Sequence, residues 1–250
     1  MKLLRLICAL PLLLLLSCQR EVSPAPVVKG KVRLQFSNMA GGTPFQLNTP
    51  YINRAGEDLV VTKYKYYISN IVFIDTAGRP HPIDNSYFLV DHSNTASLNF
   101  EVAPNVGRYH QLQFLVGVDS IRNVSGAQTG ALDPLLDMFW TWNTGYIMAK
   151  LEGTSSLSTL PNNRIEYHIG GFKGVDNALR TVTLPFTQAS DISNEKTLVI
   201  GVQAELFDWF DATHALSLST SPAIMSPGPQ ARKFADNYAT MFSITSIQSL

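Results

Sequence analysis

Residues 133–153, DPLLDMFWTWNTGYIMAKLEG, hold two of the chain's three tryptophans, Trp140 and Trp142, with Phe139 and Tyr146, between Met138 and Met148. Asp133-Pro134 reads as a turn, because proline fixes φ and drives its predecessor out of the helical region. Asn143-Thr144-Gly145 is a second turn, since Asn and Gly tolerate left-handed backbone. Residues 146–152 have the pattern of a strand. Tyr146, Met148 and Lys150 fall on one face, and Ile147, Ala149 and Leu151 on the other. Aromatic side chains at this density read first as core, because they dominate buried area.

The period of two continues outward in both directions. Residues 31–36 alternate, with Val32, Leu34 and Phe36 on one face. Asn53-Arg54-Ala55-Gly56 is a hairpin turn. It leads into a long β-rich run at 59–74 that carries Tyr64, Tyr66 and Tyr67. Ser69-Asn70 divides that run into two strands or makes a bulge. Residues 87–91 and 98–102 are short strands, and 108–118 is another, with Leu112, Phe114 and Val116 in phase. The polar loop 119–132 is long for a connection, and such loops on a rigid scaffold often carry function. Strands resume at 164–169, 179–186 and 197–206. The last turns Leu198, Ile200, Val202, Ala204 and Leu206 inward. Residues 208–211 form a helical turn. The clearest helix is at 229–241, where a proline sits near the start and Ala231, Phe234, Ala235, Tyr238 and Met241 recur at helical spacing. Many short strands with turn signals between them predict an all-β chain, a β-sandwich or jelly-roll-like single domain over 30–250 with a few short helices.

The amino terminus predicts where that domain sits. Lys2 and Arg5 accompany an apolar run at 6–16 that is too short to span a bilayer. Leu15-Leu16-Ser17-Cys18 resembles the lipobox of bacterial lipoproteins. The resemblance implies a signal peptide at 1–17, cleavage before Cys18 and lipid on Cys18. Several acyl chains anchor firmly where one is marginal. Residues 18–29 are a polar, proline-containing tether. The expected location is the cell envelope, as an outer membrane lipoprotein on the periplasmic or surface face; Gln19 is compatible with outer-membrane sorting. Of the two cysteines, Cys8 falls in the signal and Cys18 is the anchor. None remains for a disulfide, a thiolate metal site or a nucleophile. Formal charge is 0 for the whole chain, and about −2 once Lys2 and Arg5 are removed, which gives no electrostatic footprint for nucleic acid.

Five histidines are the scarce functional resource. His81 and His92 read as solvated loop residues. His110 lies in phase with Leu112 and Phe114 and reads as a hydrogen-bonded core histidine. His168 stands on the polar face of a strand, beside Glu166. Ile165, Tyr167 and Ile169 face the other way, and Gly170-Gly171 allows close approach. His214 follows the third tryptophan, Trp209, as a ligand or a helix-end residue. No Gly-x-Ser-x-Gly, His-x-x-x-His or phosphate loop is present. Asp119 and Asp133 flank the long loop without a visible base–nucleophile pair. The chain therefore reads as a binding protein and not as an enzyme.

Residues 138–146, followed by Lys150-Leu151-Glu152-Gly153, resemble the signature of the MbnP-like copper-binding proteins. Tyr66-Tyr67-Ile68-Ser69-Asn70-Ile71 resembles an early strand motif of that family. Tyr167-His168-Ile169-Gly170-Gly171 resembles its later histidine-glycine motif, and Asn237-Tyr238 with Met241-Phe242 its carboxy-terminal segment. The likeness covers roughly residues 30–250. It implies a secreted or lipid-anchored β-sandwich that binds copper through histidines and an oxidised tryptophan, kynurenine. A di-haem peroxidase-like partner would make that oxidation. By motif, His168 takes a histidine position and either Trp140 or Trp142 the modified tryptophan. Imidazole and thioether suit copper, so His214, Met138 and Met148 are further candidates, although both methionines read first as core. The pattern departs at Ser125-Gly126-Ala127-Gln128-Thr129-Gly130, where relatives carry a histidine. A two-histidine site here needs His214, His110 or a loop histidine. The alternative is a non-metal ligand- or protein-binding β-sandwich lipoprotein that uses the aromatics of 139–146 as a platform.

Overall fold

The structure is a computed structural model and describes residues 27–141 and 145–250. The signal peptide, Cys18, most of the tether, Trp142 and the Asn143-Thr144 part of the turn lie outside the described residues.

The strands are β1 (Lys31–Ala40), β2 (Thr43–Pro44), β3 (Pro50–Ile52), β4 (Asp58–Asp75), β5 (Pro80–Pro82), β6 (Tyr87–Asp91), β7 (Asn99–Val102) and β8 (Gly107–Val116). They continue as β9 (Phe139–Trp140), β10 (Gly145–Thr154), β11 (Arg164–Gly170), β12 (Arg180–Ile192), β13 (Thr197–Glu205), β14 (Ala223–Ile224) and β15 (Phe242–Ser249). Two α-helices, α1 (Ser120–Asn123) and α2 (Pro229–Tyr238), accompany a few 3-10 turns. The strands form two sheets. One has five strands in the order β15-β13-β1-β2, with β7 also on β1. The other has ten, in the order β12-β8-β4-β10-β11-β14, with short strands added to β4 and β10. Pairing is antiparallel except for β1 with β13 and β11 with β14.

Alternation explains why the sheets face each other. Val32, Leu34 and Phe36 of β1 and Ile200 and Val202 of β13 meet Tyr64, Tyr66 and Ile68 of β4, Phe114 of β8 and Leu151 of β10 in one core. The Phe36 ring lies 6.4 Å from Tyr66 and 6.2 Å from Phe114, across the gap between sheets. The expected all-β sandwich is the fold observed. β4 runs unbroken through Ser69-Asn70, with Asn70 at φ 49° and a register shift between Ser69 and Val72. The irregularity is thus a bulge. α2 turns Ala231, Phe234, Ala235 and Tyr238 into the core as the spacing predicts.

A second cluster lies on the opposite face of the ten-stranded sheet. Tyr67, Val118, Leu132, Met138, Trp140, Tyr146, Ile147 and Met148 pack there. The segment from α1 to β9 roofs that face. Asn123 Oδ1 accepts from the Tyr146 backbone N–H at 2.9 Å, and the Tyr146 hydroxyl donates to the Leu132 carbonyl at 2.7 Å.

Three histidine expectations need correction. β8 has a register irregularity against both neighbours near Tyr109–Gln111. It brings Tyr109 inward, 1% exposed, in place of His110. His110 has no hydrogen-bond partner for its buried Nδ1, so it is not a hydrogen-bonded core histidine. His81 is not merely solvated: its Nε2 pairs with Asp75 at 3.0 Å, and its ring stands edge-on to Tyr109. His92 accepts on Nδ1 from Asn38 Nδ2 at 2.9 Å and packs 4.7 Å from the Phe45 ring. Burial holds its imidazole below the ordinary histidine range.

Candidate functional site

The outward face of the ten-stranded sheet carries charge. Lys150 of β10 stands opposite Lys65 of β4 and His168 of β11, and Glu152 stands opposite Lys63 and Glu166. Like charges set directly across strands repel. One acid from a turn, Asp137, and one from the neighbouring strand β6, Asp91, resolve the conflict. Asp137 reaches Lys63 Nζ at 2.7 Å and Lys150 Nζ at 3.0 Å, and Asp91 reaches Lys65 Nζ at 2.9 Å. Asp137 sits at φ 63°, a left-handed position that Asp tolerates, at the end of the 3-10 turn Pro134–Leu136. The Asp137 carbonyl also accepts from Lys150 Nζ.

His168 joins this network through Glu152. Its Nε2 lies 2.8 Å from Glu152 Oε1, while Glu152 Oε2 takes Lys63 at 3.1 Å. The His168 hydrogen bond, helped by Lys63 and Lys150, holds the Glu152 carboxyl down at about 2 against the opposing effect of burial. Burial pushes the Lys150 ammonium down, against the opposing pull of Asp137. Lys63 goes the other way: burial would lower it, but its bonds to Asp137 and Glu152 prevail and raise it. Lys150 has a side chain only 1% exposed. Sequence reading did not single out Lys150 or Asp137. The available signal was Lys150-Leu151-Glu152, which puts an ammonium and a carboxylate on one strand face.

Trp140 shares that face with His168. A Cβ placed on Gly170 would lie 2.5 Å from Trp140 Cζ3 and 2.6 Å from Cη2, so the indole occupies the space a side chain would fill. Gly170 is two residues from His168 along β11, hence on the same side of the strand. Imidazole and indole thereby lie on one face of β11. Trp140 is 5% exposed and Met138 is fully buried in the small cluster. The Met148 sulfur accepts from the Val118 backbone N–H at 3.2 Å. Both thioethers are thus packed in the small core. His214 is held elsewhere, beneath α2. Its Nε2 pairs with Asp236 at 3.0 Å, and its backbone N–H donates to Asn237 Oδ1 at 2.7 Å.

Beside Trp140 is a cleft of about 440 Å³, lined also by Tyr146, Phe172, Lys173, Asp176 and Pro227. Lys173 Nζ lies 5.6 Å from the Phe172 ring centroid.

A copper ion fits this donor set in part. With Nε2 bonded to a carboxylate, His168 has the arrangement of a metal-ligating imidazole, which uses its other nitrogen. The two ammonium groups around Glu152 oppose added positive charge. Among the described residues, no three His, Cys, Asp or Glu side chains converge as a metal group.

The MbnP family model matches residues 29–226 of the 250. Among solved structures, MbnP from Methylosinus trichosporium matches with a TM-score of 0.53 at 17% identity, covering 76% of this chain and 80% of that chain. At that identity the likeness speaks for the fold alone. No curated protein matches the chain. The family model spans well over half the sequence, so the chain belongs to the MbnP family, a membership that suggests a copper-related extracytoplasmic protein.

Proposed function

We propose that the chain is a lipid-anchored, copper-binding protein of the cell envelope that acquires or handles copper, with His168 as its imidazole donor. The observation that carries this reading is the placement of His168. Its Nε2 is held by Glu152, and its strand neighbour Gly170 is covered by the Trp140 indole. A glutamate that fixes one ring nitrogen orients the other as a ligand. The ammoniums of Lys63 and Lys150 favour a singly charged, soft ion over a dication, hence Cu(I) over Cu(II). Trp140 or Trp142, unmodified or oxidised, completes the site, and the burial of Met138 and the pairing of His214 with Asp236 beneath α2 leave both out of it. Lipid on Cys18 anchors the chain in the outer membrane, and a di-haem peroxidase-like protein is the partner for tryptophan oxidation. The role is binding, not catalysis.

The test is Cu(I) titration of the full-length protein in nonionic detergent against His168→Gln. Loss of at least about tenfold in affinity is expected. Equal uptake in the two proteins would remove the proposal. Intact mass of the protein extracted from membranes reads lipid on Cys18 and any oxygen added to a tryptophan.

A second reading rests on the cleft beside Trp140. Its Tyr146 and Phe172 rings, with Lys173 and Asp176 at the rim, suit an organic ligand taken up without metal. Binding unchanged by a copper chelator would favour it.

A further inference from the structure

Arg122 of α1 has neutral partners. Its Nη2 donates to Asn85 Oδ1 at 2.6 Å and its Nη1 to Gln128 Oε1 at 3.3 Å, and its guanidinium carbon lies 5.3 Å from the Tyr87 ring centroid. Gln128 Nε2 donates back to the Arg122 carbonyl at 2.7 Å, which folds the following loop over the guanidinium. These contacts orient the group without neutralising it. Among the described residues no carboxylate forms an ion pair with Arg122. The nearest acid in sequence, Asp119, is occupied: it accepts from the Tyr87 hydroxyl, from Asn70 Nδ2 at 3.2 Å and from the Arg122 backbone N–H at 3.1 Å. It lines the adjoining cleft with Ile121.

Arg122 and Tyr87 line that cleft too, and with Asn85 and Gln128 they line a second one, of about 490 Å³, whose apolar wall includes Ala127 and Ala131. That volume lies in the range of small-molecule sites, roughly 300–1,000 Å³. A guanidinium has five N–H donors in a fixed fork. Two neutral acceptors leave donors over, and such a fork matches a carboxylate in bidentate fashion. The hydrocarbon wall beside it gives an apolar body somewhere to lie. We propose that this cleft binds a small organic carboxylate, with its head group on Arg122 and its short hydrocarbon body against Ala127 and Ala131. The proposal is independent of copper and of His168.

The probes are hexanoate, hexanol and inorganic phosphate, titrated calorimetrically into the full-length protein in nonionic detergent. Saturable hexanoate binding is expected, with hexanol and phosphate each weaker by at least about tenfold. Arg122→Gln removes the charge. Asn85→Asp keeps Arg122 and sets a carboxylate against Nη2, at a position where the backbone φ of 52° suits Asp as it does Asn. Both variants should lose hexanoate binding by about tenfold or more while melting as cooperatively as the parent. Should Arg122→Gln fail to fold, Asn85→Asp decides alone. Absence of saturable hexanoate binding, equal binding of hexanol or phosphate, or binding retained in either folded variant overturns the proposal.

Discussion

The Lys150 ammonium has left water, and its neighbours decide whether that is tolerable. An unpaired charge in its place would be untenable, so the Asp137 carbonyl, the Asp137 carboxylate and Glu152 around it are a condition of the fold. Glu152 links that ammonium to His168, and its own ionisation is the measurable handle. Its carboxyl is held at about 2, below the ordinary 4.5. The unfolded chain therefore binds more protons than the native one between those values, and stability rises with pH across that window. The contribution is fully present above about pH 4.5 and fades as pH falls towards about 2. Glu152→Gln should be less stable than the parent at neutral pH by on the order of 3 kcal/mol at most. The two proteins should converge in acid. Urea midpoints measured from pH 7 down to pH 2.5 check this, and a constant difference across the range would mean that the carboxylate is not the cause.

Strands and helix were legible wherever one face is apolar and the other is not. β13, β1 and α2 follow their alternation or helical spacing closely, because a single slip would turn a whole hydrophobic set to solvent. His168 was legible as a polar-face residue for the same reason. Its partner was not, because register between β10 and β11 is set by packing between strands and is not written in either strand alone. The irregularity in β8 that exchanges Tyr109 for His110 escaped likewise, because the proline that marks it, Pro185, lies on the partner strand β12 and not on β8. The fit of β9 on β11 was visible only as Gly170-Gly171. A methyl group on Gly170 would meet the Trp140 ring well inside contact distance. Gly170→Ala should cost about 1–3 kcal/mol, as overpacking does. In a Trp140→Leu background most of that cost should vanish, because the ring that causes it is gone. A double-mutant cycle by chemical denaturation measures the coupling. Strict additivity would show that the indole does not rest on Gly170.

At the scale of the molecule, the ten-stranded sheet has a core on each face, and the two differ in what they hold together. The large core joins the sheets. Phe36 alone contacts the rings of Tyr66, Phe100, Phe114 and Phe242, which belong to strands of both sheets. No cysteine is available to the described domain, so such contacts carry the fold. Phe36→Ala should therefore cost about 3–5 kcal/mol and lower the protection of every strand together. The small core holds only the roof over β10. Met138 is buried there, and its carbonyl accepts from the Ile147 backbone N–H at 2.9 Å. Met138→Ala should free that roof while the sandwich stays closed. Hydrogen exchange should quicken at the backbone amides of Val118, Tyr146 and Ile147, whose acceptors are the Met148 sulfur, Asn123 and Met138. The amides of β1 and β13 should exchange as in the parent. Equal acceleration in β13 would mean that both faces unfold as one unit, and the segment carrying Trp140 would then have no freedom of its own with which to admit a ligand.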